Sequence, residues 1–322
     1  MEAKLKLLVT GASGFIGQAL CRELMGEDVS VRVLLRDVAQ SKSIPEELNA
    51  ELIEGDLNNR DILVSACADM DVVIHLAGVA HVGNGSKAQS KKINVQGTQN
   101  LLNAAAGRNI KHFIFLSSSL AEAAESGAGD ITQYGKDKLA TEILVQDVAR
   151  NSDMKYTILR PVNVYGPGMK GNIAGMISMI QRGRLPRLPR LTNAISLLGV
   201  HDLAAALVLA LHTAESAGKI YTVTDGQAYP IGKIEQAIYQ ALDKPMPRLR
   251  TPAVVLYLAS AMAGIMSSLT GGKGSIGIRT YRNLTRDNVF RGDEIVTELG
   301  FKPSTTLYKE LPDIVRAMTT SV

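Results

Sequence analysis

The sequence predicts an α/β chain: a doubly wound parallel sheet with a smaller, mostly helical C-terminal lobe. Three observations predict it. The first half alternates apolar, β-branched runs of strand length with runs of helix length, the mark of successive βαβ units. A turn with glycines three apart, Gly11-Ala12-Ser13-Gly14-Phe15-Ile16-Gly17, joins the first strand to the first helix. The 322 residues suffice for one large core with an appended lobe. The expected division puts residues 1–170 and 192–225 in the sheet domain and 171–191 and 226–322 in the lobe.

Composition narrows the function classes. Hydrophobic residues make up 46% and charged residues 20%, ordinary for a globular enzyme. Trp is absent and aromatics are only 4%, against an aromatic carbohydrate platform or a base-stacking surface. Thirty-five basic residues against 31 acidic give +4, too mild an excess to call for nucleic acid. The two cysteines, Cys21 in the first helix and Cys67 in an apolar segment, read as packing residues. Neither a disulfide framework nor metal-ligand spacing is present, so no metal is expected and a reducing cytoplasm fits. The chain enters its first strand at once, which leaves no room for a signal peptide.

The first strand, Lys4 to Thr10, runs into the glycine turn and then into the helix Gln18 to Leu24. Glycine admits backbone conformations closed to other residues, and the first helix amides lack internal partners at the positive end of the dipole. Strand, turn and helix start together form a Rossmann-type pyrophosphate cradle, with Gly11, Ser13, Gly14, Phe15, Ile16 and Gly17 as its residues. The spacing is G-x-x-G-x-x-G rather than G-x-G-x-x-G. The second strand, Val29 to Leu35, ends in Arg36-Asp37. An acidic residue there binds the ribose hydroxyls of NAD, whereas an arginine accommodates the 2′-phosphate of NADP. Arg36 holds the earlier, strand-end position, which favours NADP over NAD; the other reading makes Arg36 an exposed surface residue and Asp37 the ribose ligand.

The third strand, Ala50 to Leu57, ends in Gly55-Asp56-Leu57. Asp56 is placed to meet adenine nitrogen donors or to cap the helix from about Asn59 to Ala68. The fourth strand, Asp71 to Gly78, closes on Leu76, Ala77 and Gly78 as expected cofactor contacts, and the small Ala77 and Gly78 leave room for the cofactor. His75 within it reads as a packing histidine. His81 lies beyond the strand end, where substrate contact and a surface loop both stand. A helix follows from Asn94 to Ala105, then a fifth strand, Lys111 to Ser119, which ends in three hydroxyls. Sixteen residues after Ser118 come Tyr134 and Lys138, at i and i+4 on one helix face beside those serines. A phenol of pKa about 10 is a weak acid near neutrality. A nearby ammonium favours the phenolate and lowers that value. Tyr134 would then exchange the proton of a substrate hydroxyl while hydride moves at the nicotinamide. Ser118 would hydrogen-bond the same oxygen, and Lys138 would also reach the nicotinamide ribose. A plain Tyr-Lys pair on an amphipathic helix is the alternative.

On these residues the chain resembles the extended short-chain dehydrogenase/reductase superfamily, in the branch of NAD(P)-dependent nucleotide-sugar epimerases, dehydratases and 4-ketoreductases. The resemblance covers nearly the whole length. It rests on Thr10 to Gly17, Gly55-Asp56-Leu57, His75-Leu76-Ala77-Gly78, Asn94-Val95-Gln96-Gly97-Thr98, Leu116-Ser117-Ser118, the Tyr134/Lys138 pair and Leu159 to Gly168. The resemblance implies that Ser118 is the catalytic hydroxyl, with Ser119 the fallback if the register slips by one. It implies that Pro161 and Val162 give backbone contacts to nicotinamide and that Asn163 touches a sugar-nucleotide. It also implies a homodimer. Many relatives carry a diphosphate-binding arginine where Ile195 stands, so Arg187, Arg190 or Arg282 would have to replace it. The basic stretch Arg184 to Leu191 reads as a diphosphate clamp or a solvated loop, and Arg279 to Arg291 is open in the same way. Lys219 to Thr224 reads as a further strand of the main sheet.

The segment after Ser119 lacks the Val-Tyr-Gly of many relatives and is short, which points to a reshaped substrate pocket. Ser119-Leu120 stand where a related sugar 4,6-dehydratase would carry Asp-Glu after the catalytic hydroxyl, so dehydration is not expected. The uncharged run Thr251 to Gly272 is of membrane-spanning length but contains Pro252 and Gly264. It reads as a buried helix rather than a membrane contact. The function expected is an oxidoreductase that reduces a 4-keto group of a nucleotide-linked sugar, with Tyr134 as general acid. A 4-epimerase with bound NAD, a reductase of a non-sugar hydroxyl or ketone, and a non-catalytic dinucleotide sensor or scaffold are the alternatives.

Overall fold

The structure, a computed structural model, describes residues 4–78, 91–127, 131–258, 261–262 and 285–320. His81, Arg282 and most of the second half of the 251–272 run lie outside the described residues. In chain order the elements are β1 (Leu5–Thr10), α1 (Phe15–Leu24), β2 (Val29–Leu35), β3 (Glu51–Glu54), α2 (Arg60–Cys67), β4 (Val72–His75), α3 (Gly97–Gly107), β5 (His112–Leu116), α4 (Ser119–Ser126), α5 (Gln133–Arg150), β6 (Lys155–Pro161), β7 (Asn163–Tyr165), α6 (Asn172–Gln181), β8 (Ala194–Gly199), α7 (Val200–His212), β9 (Lys219–Val223), β10 (Ala228–Pro230), α8 (Ile231–Ala241), α9 (Asp293–Leu299) and α10 (Leu307–Thr320).

Seven strands form one sheet in the order β3-β2-β1-β4-β5-β6-β9, and each neighbouring pair is parallel. Such a sheet needs helices on both faces, so its central strands are apolar throughout. Leu7, Leu8 and Val9 of β1, Val73 and Ile74 of β4, and Phe113 and Ile114 of β5 are fully buried accordingly. One core cluster joins Leu63 and Cys67 of α2, Leu101 and Ala105 of α3, Phe113 and Phe115 of β5, and Val145 of α5. The strand order reverses between β1 and β4. In doubly wound sheets that switch, at the carboxyl ends of the strands, is where ligands bind. Cys21 and Cys67 are buried, and burial pushes their thiols up to about 11 and about 12, so neither is a thiolate near neutrality.

The chain divides into two units. The first holds Met1–Val162, Val200–Val223 and Arg291–Pro303; the second holds Asn163–Gly199, Thr224–Phe290 and Ser304–Val322. The division differs from the one read in the sequence. The strand β7 leaves the large sheet and pairs in parallel with β8, which pairs antiparallel with β10, so residues from 163 onward join the second unit. Residues 291–303 join the first unit, because α9 packs beside β9. There Ile295 and Leu299 are buried, and Glu298 takes a hydrogen bond from the Tyr221 hydroxyl at 2.7 Å and pairs with Lys219 at 3.1 Å.

The expected buried helix in the 251–272 run is corrected by the structure for the described part of that run. Residues 253–258 form a short helix, but Val254, Val255, Tyr257 and Leu258 are exposed. Apolar composition alone does not say which way side chains face, and here they face solvent. Among the described residues, no helix is long and apolar enough to cross a membrane.

Candidate active site

The turn after β1 is as tight as its glycines allow. Gly11 has φ +78°, and a Cβ on it would lie 2.6 Å from the Ala77 amide nitrogen. The Gly14 amide donates to the Gly11 carbonyl at 3.0 Å. A Cβ on Gly17 would stand 2.2 Å from the Gly11 carbonyl oxygen and 2.6 Å from Ala12 Cα, both backbone atoms. The start of α1 carries no acidic residue in its first turn, and Gly14 offers no side chain to cap it. Helix amides left without a side-chain cap beside a glycine turn suit a pyrophosphate; Ser13 lies in that turn, and Phe15 and Ile16 open α1 directly after it. Replacing Gly17 with Ala is therefore expected to weaken NADH binding at least tenfold and to lower stability by about 1–3 kcal/mol. Fluorescence titration and thermal unfolding check both; a variant that binds and melts like the parent contradicts the cradle.

At the end of β2, Arg36 is exposed. The Asp37 carboxylate accepts from the Ala39 amide at 2.9 Å and so caps the short helical turn that follows. Asp56 is exposed and accepts from the Asn58 amide at 2.8 Å; Asn59 caps α2 instead, through a bond from the Ile62 amide at 3.3 Å. The capping role open for Asp56 thus falls to Asn59. Leu57 is buried, and its carbonyl accepts from the Asn100 side chain at 3.0 Å. At the end of β4, the Leu76 amide donates to the Thr10 carbonyl at 3.0 Å and the Ala77 amide to Thr10 Oγ1 at 3.4 Å. Gly78 faces Asn94 and Lys138: a Cβ there would lie 3.3 Å from Asn94 Oδ1 and 3.6 Å from Lys138 Nζ.

His75 is a packing residue, as the sequence suggests. It is fully buried, stacked on Phe115, and bonded to Thr10 Oγ1 at 2.6 Å and Thr98 Oγ1 at 2.9 Å. The Thr98 proton goes to the Asn94 carbonyl at 2.7 Å. Hence Nε2 of His75 donates to Thr98, and Nδ1 accepts from Thr10. Burial first, and the Lys138 charge second, lower its pKa to about 3, so the ring stays neutral.

The helix α5 starts at Thr132, whose hydroxyl accepts from the Gly135 amide at 2.9 Å. It carries Tyr134 and Lys138 on one face. Lys138 is buried and donates to the Leu116 carbonyl, the last of β5, at 2.6 Å. That bond holds the helix against the strand end where Ser118 sits. Ser118 Oγ accepts from the Leu120 amide at 3.2 Å as the cap of α4, which leaves its own proton available to a ligand. Ser119 is buried at the first position of α4.

The electrostatics differ in one respect from the expectation. Burial pushes the Tyr134 phenol up to about 12 instead of down. Lys138 Nζ lies 6.0 Å from the Tyr134 ring centroid and 4.5 Å from that of Phe115. At that range its charge does not outweigh desolvation. Lys138 itself is lowered to about 8, chiefly by burial, with Glu142 offsetting part of the shift.

Sequence reasoning missed a buried charged cluster behind this face. Glu142 continues the series Tyr134, Lys138 along α5 at i+8 and is fully buried. Arg160 at the end of β6 grips it with Nε–Oε1 at 3.0 Å and Nη2–Oε2 at 2.6 Å, and reaches Glu125 at the end of α4 at 2.8 Å. The Ser117 hydroxyl donates to Glu142 as well. The i+4 spacing after Lys138 was the available signal. Beside Arg160, Pro161 and Val162 are buried, and the Val162 amide donates to the Val223 carbonyl at 3.1 Å.

The second unit holds the remaining candidates. Asn163 is exposed at the start of β7. Arg187 Nη1 donates to the carbonyls of Pro247 at 3.0 Å and Arg248 at 3.2 Å, so part of its guanidinium fastens a loop. Arg190 is exposed, and Ile195 is buried in β8.

The NAD dependent epimerase/dehydratase family profile matches residues 7–224. A UDP-glucose 4-epimerase from Vibrio cholerae is 28% identical over 284 residues, covering 82% of this chain and 85% of its own. A 2-alkyl-3-oxoalkanoate reductase from Stenotrophomonas maltophilia is 27% identical over 257 residues, covering 75% and 77%. Among solved structures, a UDP-glucose 4-epimerase from Thermotoga maritima, crystallised with UDP-glucose, superposes with a TM-score of 0.77; it is 20% identical and covers 98% of this chain and 99% of its own.

Proposed function

From the premise that this chain belongs to the NAD dependent epimerase/dehydratase family, as an enzyme of the extended short-chain dehydrogenase/reductase type, we propose that it reduces a 4-keto group of a nucleotide-linked sugar, with NADP as the preferred cofactor. The observation that carries this reading is the bond from Lys138 to the Leu116 carbonyl, which holds the helix face that also carries Tyr134 against the end of β5, two residues before Ser118. Bound NAD(P) supplies or accepts the hydride. Tyr134, held protonated by burial, gives its proton to the carbonyl oxygen as that oxygen becomes an alkoxide. Ser118 Oγ donates a hydrogen bond to the same oxygen. Lys138 places its charge beside Gly78, where it stabilises the developing phenolate and reaches the nicotinamide ribose. Asn163, His81 and an arginine from Arg187, Arg190 and Arg282 are proposed to contact the sugar-nucleotide.

The NADP preference is supported by Asp37, whose carboxylate caps a turn while Arg36 stays exposed at the strand end. Changing Arg36 to Ala is expected to weaken NADPH roughly tenfold or more and NADH little, because a charge-assisted bond to phosphate is lost. Equal losses for both cofactors, measured by fluorescence titration, contradict the 2′-phosphate role.

The Vibrio relative supports a second reading: a UDP-sugar 4-epimerase that keeps NAD bound and returns the hydride to the opposite face. The two separate in one experiment. Oxidation of added NADPH on mixing with a UDP-4-keto sugar supports the reductase. Tight NAD in the purified protein, with interconversion of UDP-glucose and UDP-galactose, supports the epimerase. The Stenotrophomonas relative keeps a non-sugar ketone as a further arm of the same assay.

A further inference from the structure

We propose, resting on the nucleotide-sugar reading above, that the buried carboxylate of Glu235 is a positioning residue for the nucleoside diphosphate of the substrate. It fixes the basic loop 185–191 so that Arg190 presents its guanidinium to the phosphates. Glu235 lies on α8 in the second unit and is fully buried. Burying a carboxylate is costly unless it is bonded or paired. Its Oε1 accepts from the Leu188 amide at 2.7 Å, and the charges of Arg250 and Arg187 act on it as well. A buried acid of a helix is thus committed to one backbone amide in the middle of the loop.

The rest of the loop is fastened in the same way. The Tyr239 hydroxyl, also on α8, donates to the Leu185 carbonyl at 3.4 Å, and the Thr251 amide to the Arg187 carbonyl at 2.9 Å. Arg250 Nη1 reaches the carbonyls of Leu188 and Pro189, each at 3.3 Å. Pro186 and Pro189 remove further backbone freedom. Just beyond the loop, the Ile231 amide at the start of α8 donates to the Asn193 carbonyl at 3.1 Å. Arg190 therefore stands between fastened residues on either side.

The arginines of this region divide by role. Arg187 and Arg250 each give Nη1 to backbone carbonyls. Arg190 is exposed, and among the described residues its side chain has no hydrogen-bond or ion-pair partner. A guanidinium offers a planar fork of donors that matches phosphate oxygens. An unengaged fork on a backbone already held in place loses little freedom when it binds. Ile195, buried in β8, supplies no charge, so the phosphates need a cation from elsewhere, and Arg190 is set to give it.

The test is calorimetric titration of the full chain with UDP, GDP and dTDP, and separately with NADPH. The parent is expected to bind NADPH and at least one of the three diphosphates, and the tightest is carried forward. Arg190→Gln is expected to weaken that diphosphate about tenfold, through loss of a charge-assisted bond. Glu235→Leu removes the acceptor with little change of volume and is expected to weaken it about tenfold by misplacing the loop. Both variants should hold NADPH within a factor of about two of the parent. The double variant E235L/R190Q should bind the diphosphate no more weakly than R190Q, because Glu235 acts through Arg190. Glu235→Gln, whose amide oxygen can accept from Leu188, should restore the affinity. The proposal is overturned if R190Q binds the diphosphate like the parent, a result that stands even where E235L fails to fold. It is also overturned if E235L leaves diphosphate binding unchanged, weakens diphosphate and NADPH alike, or adds its full loss to that of R190Q. A parent that binds NADPH but none of the three diphosphates removes the nucleotide-sugar reading itself, and the proposal with it.

Discussion

The Tyr134→Phe variant is expected to lose turnover by about three orders of magnitude, near the upper range for a positioned general acid, while its affinity for NADPH stays within a factor of about two. Phe keeps the ring on α5 and removes only the hydroxyl. The loss should fall on kcat, with KM little changed, because the proton is needed only as hydride moves. The direction of the Tyr134 shift adds a pH signature. With the phenol pushed up to about 12, the acid form persists through the neutral range. The reductive direction should therefore be flat in pH until Lys138, lowered to about 8, loses its charge. Stopped-flow kinetics across that range check this. Turnover that survives in the phenylalanine variant removes Tyr134 from the chemistry.

Glu142→Ala is expected to cost about 3–5 kcal/mol, because it leaves Arg160 buried with much of its compensation gone. The Arg160 side chain is only 8% exposed, and its other partner, Glu125, is 56% exposed and so screened. Urea unfolding measures the loss. The double variant E142M/R160M should be less destabilised than Glu142→Ala, since no unpaired charge stays behind. A second readout concerns Lys138. Glu142 is the group that holds the Lys138 pKa up against burial. Without it, the alkaline limb of the rate profile should move to lower pH. A loss within about 1 kcal/mol of the parent would mean that the cluster is well solvated in solution.

Much of the first unit was legible in the sequence because its central strands are buried on both faces and read as largely apolar runs. The glycine turn was legible because a close backbone approach excludes any Cβ, and Tyr134 with Lys138 because i, i+4 is a spacing that a helix imposes. Glu142 was not, since a carboxylate on a helix ordinarily faces water and nothing local says that Arg160 lies opposite. The small sheet was hidden for another reason. The strands β7 and β10 are three residues each, too short for a period to show, and their pairing with β8 is long-range. The outward-facing side chains of Val254 and Leu258 escaped because composition reports apolarity but not orientation.

The most direct test of the central claim follows one atom. The protein is mixed with NADPH deuterated on the transferable face and with a UDP-4-keto sugar, and the product is examined by mass spectrometry and NMR. The predicted result is loss of the reduced-cofactor absorbance together with one deuterium at C4 of the sugar, in the parent but not in the Tyr134→Phe variant. Unchanged absorbance across UDP-, GDP- and dTDP-linked 4-keto sugars, or deuterium at any other carbon, would contradict it.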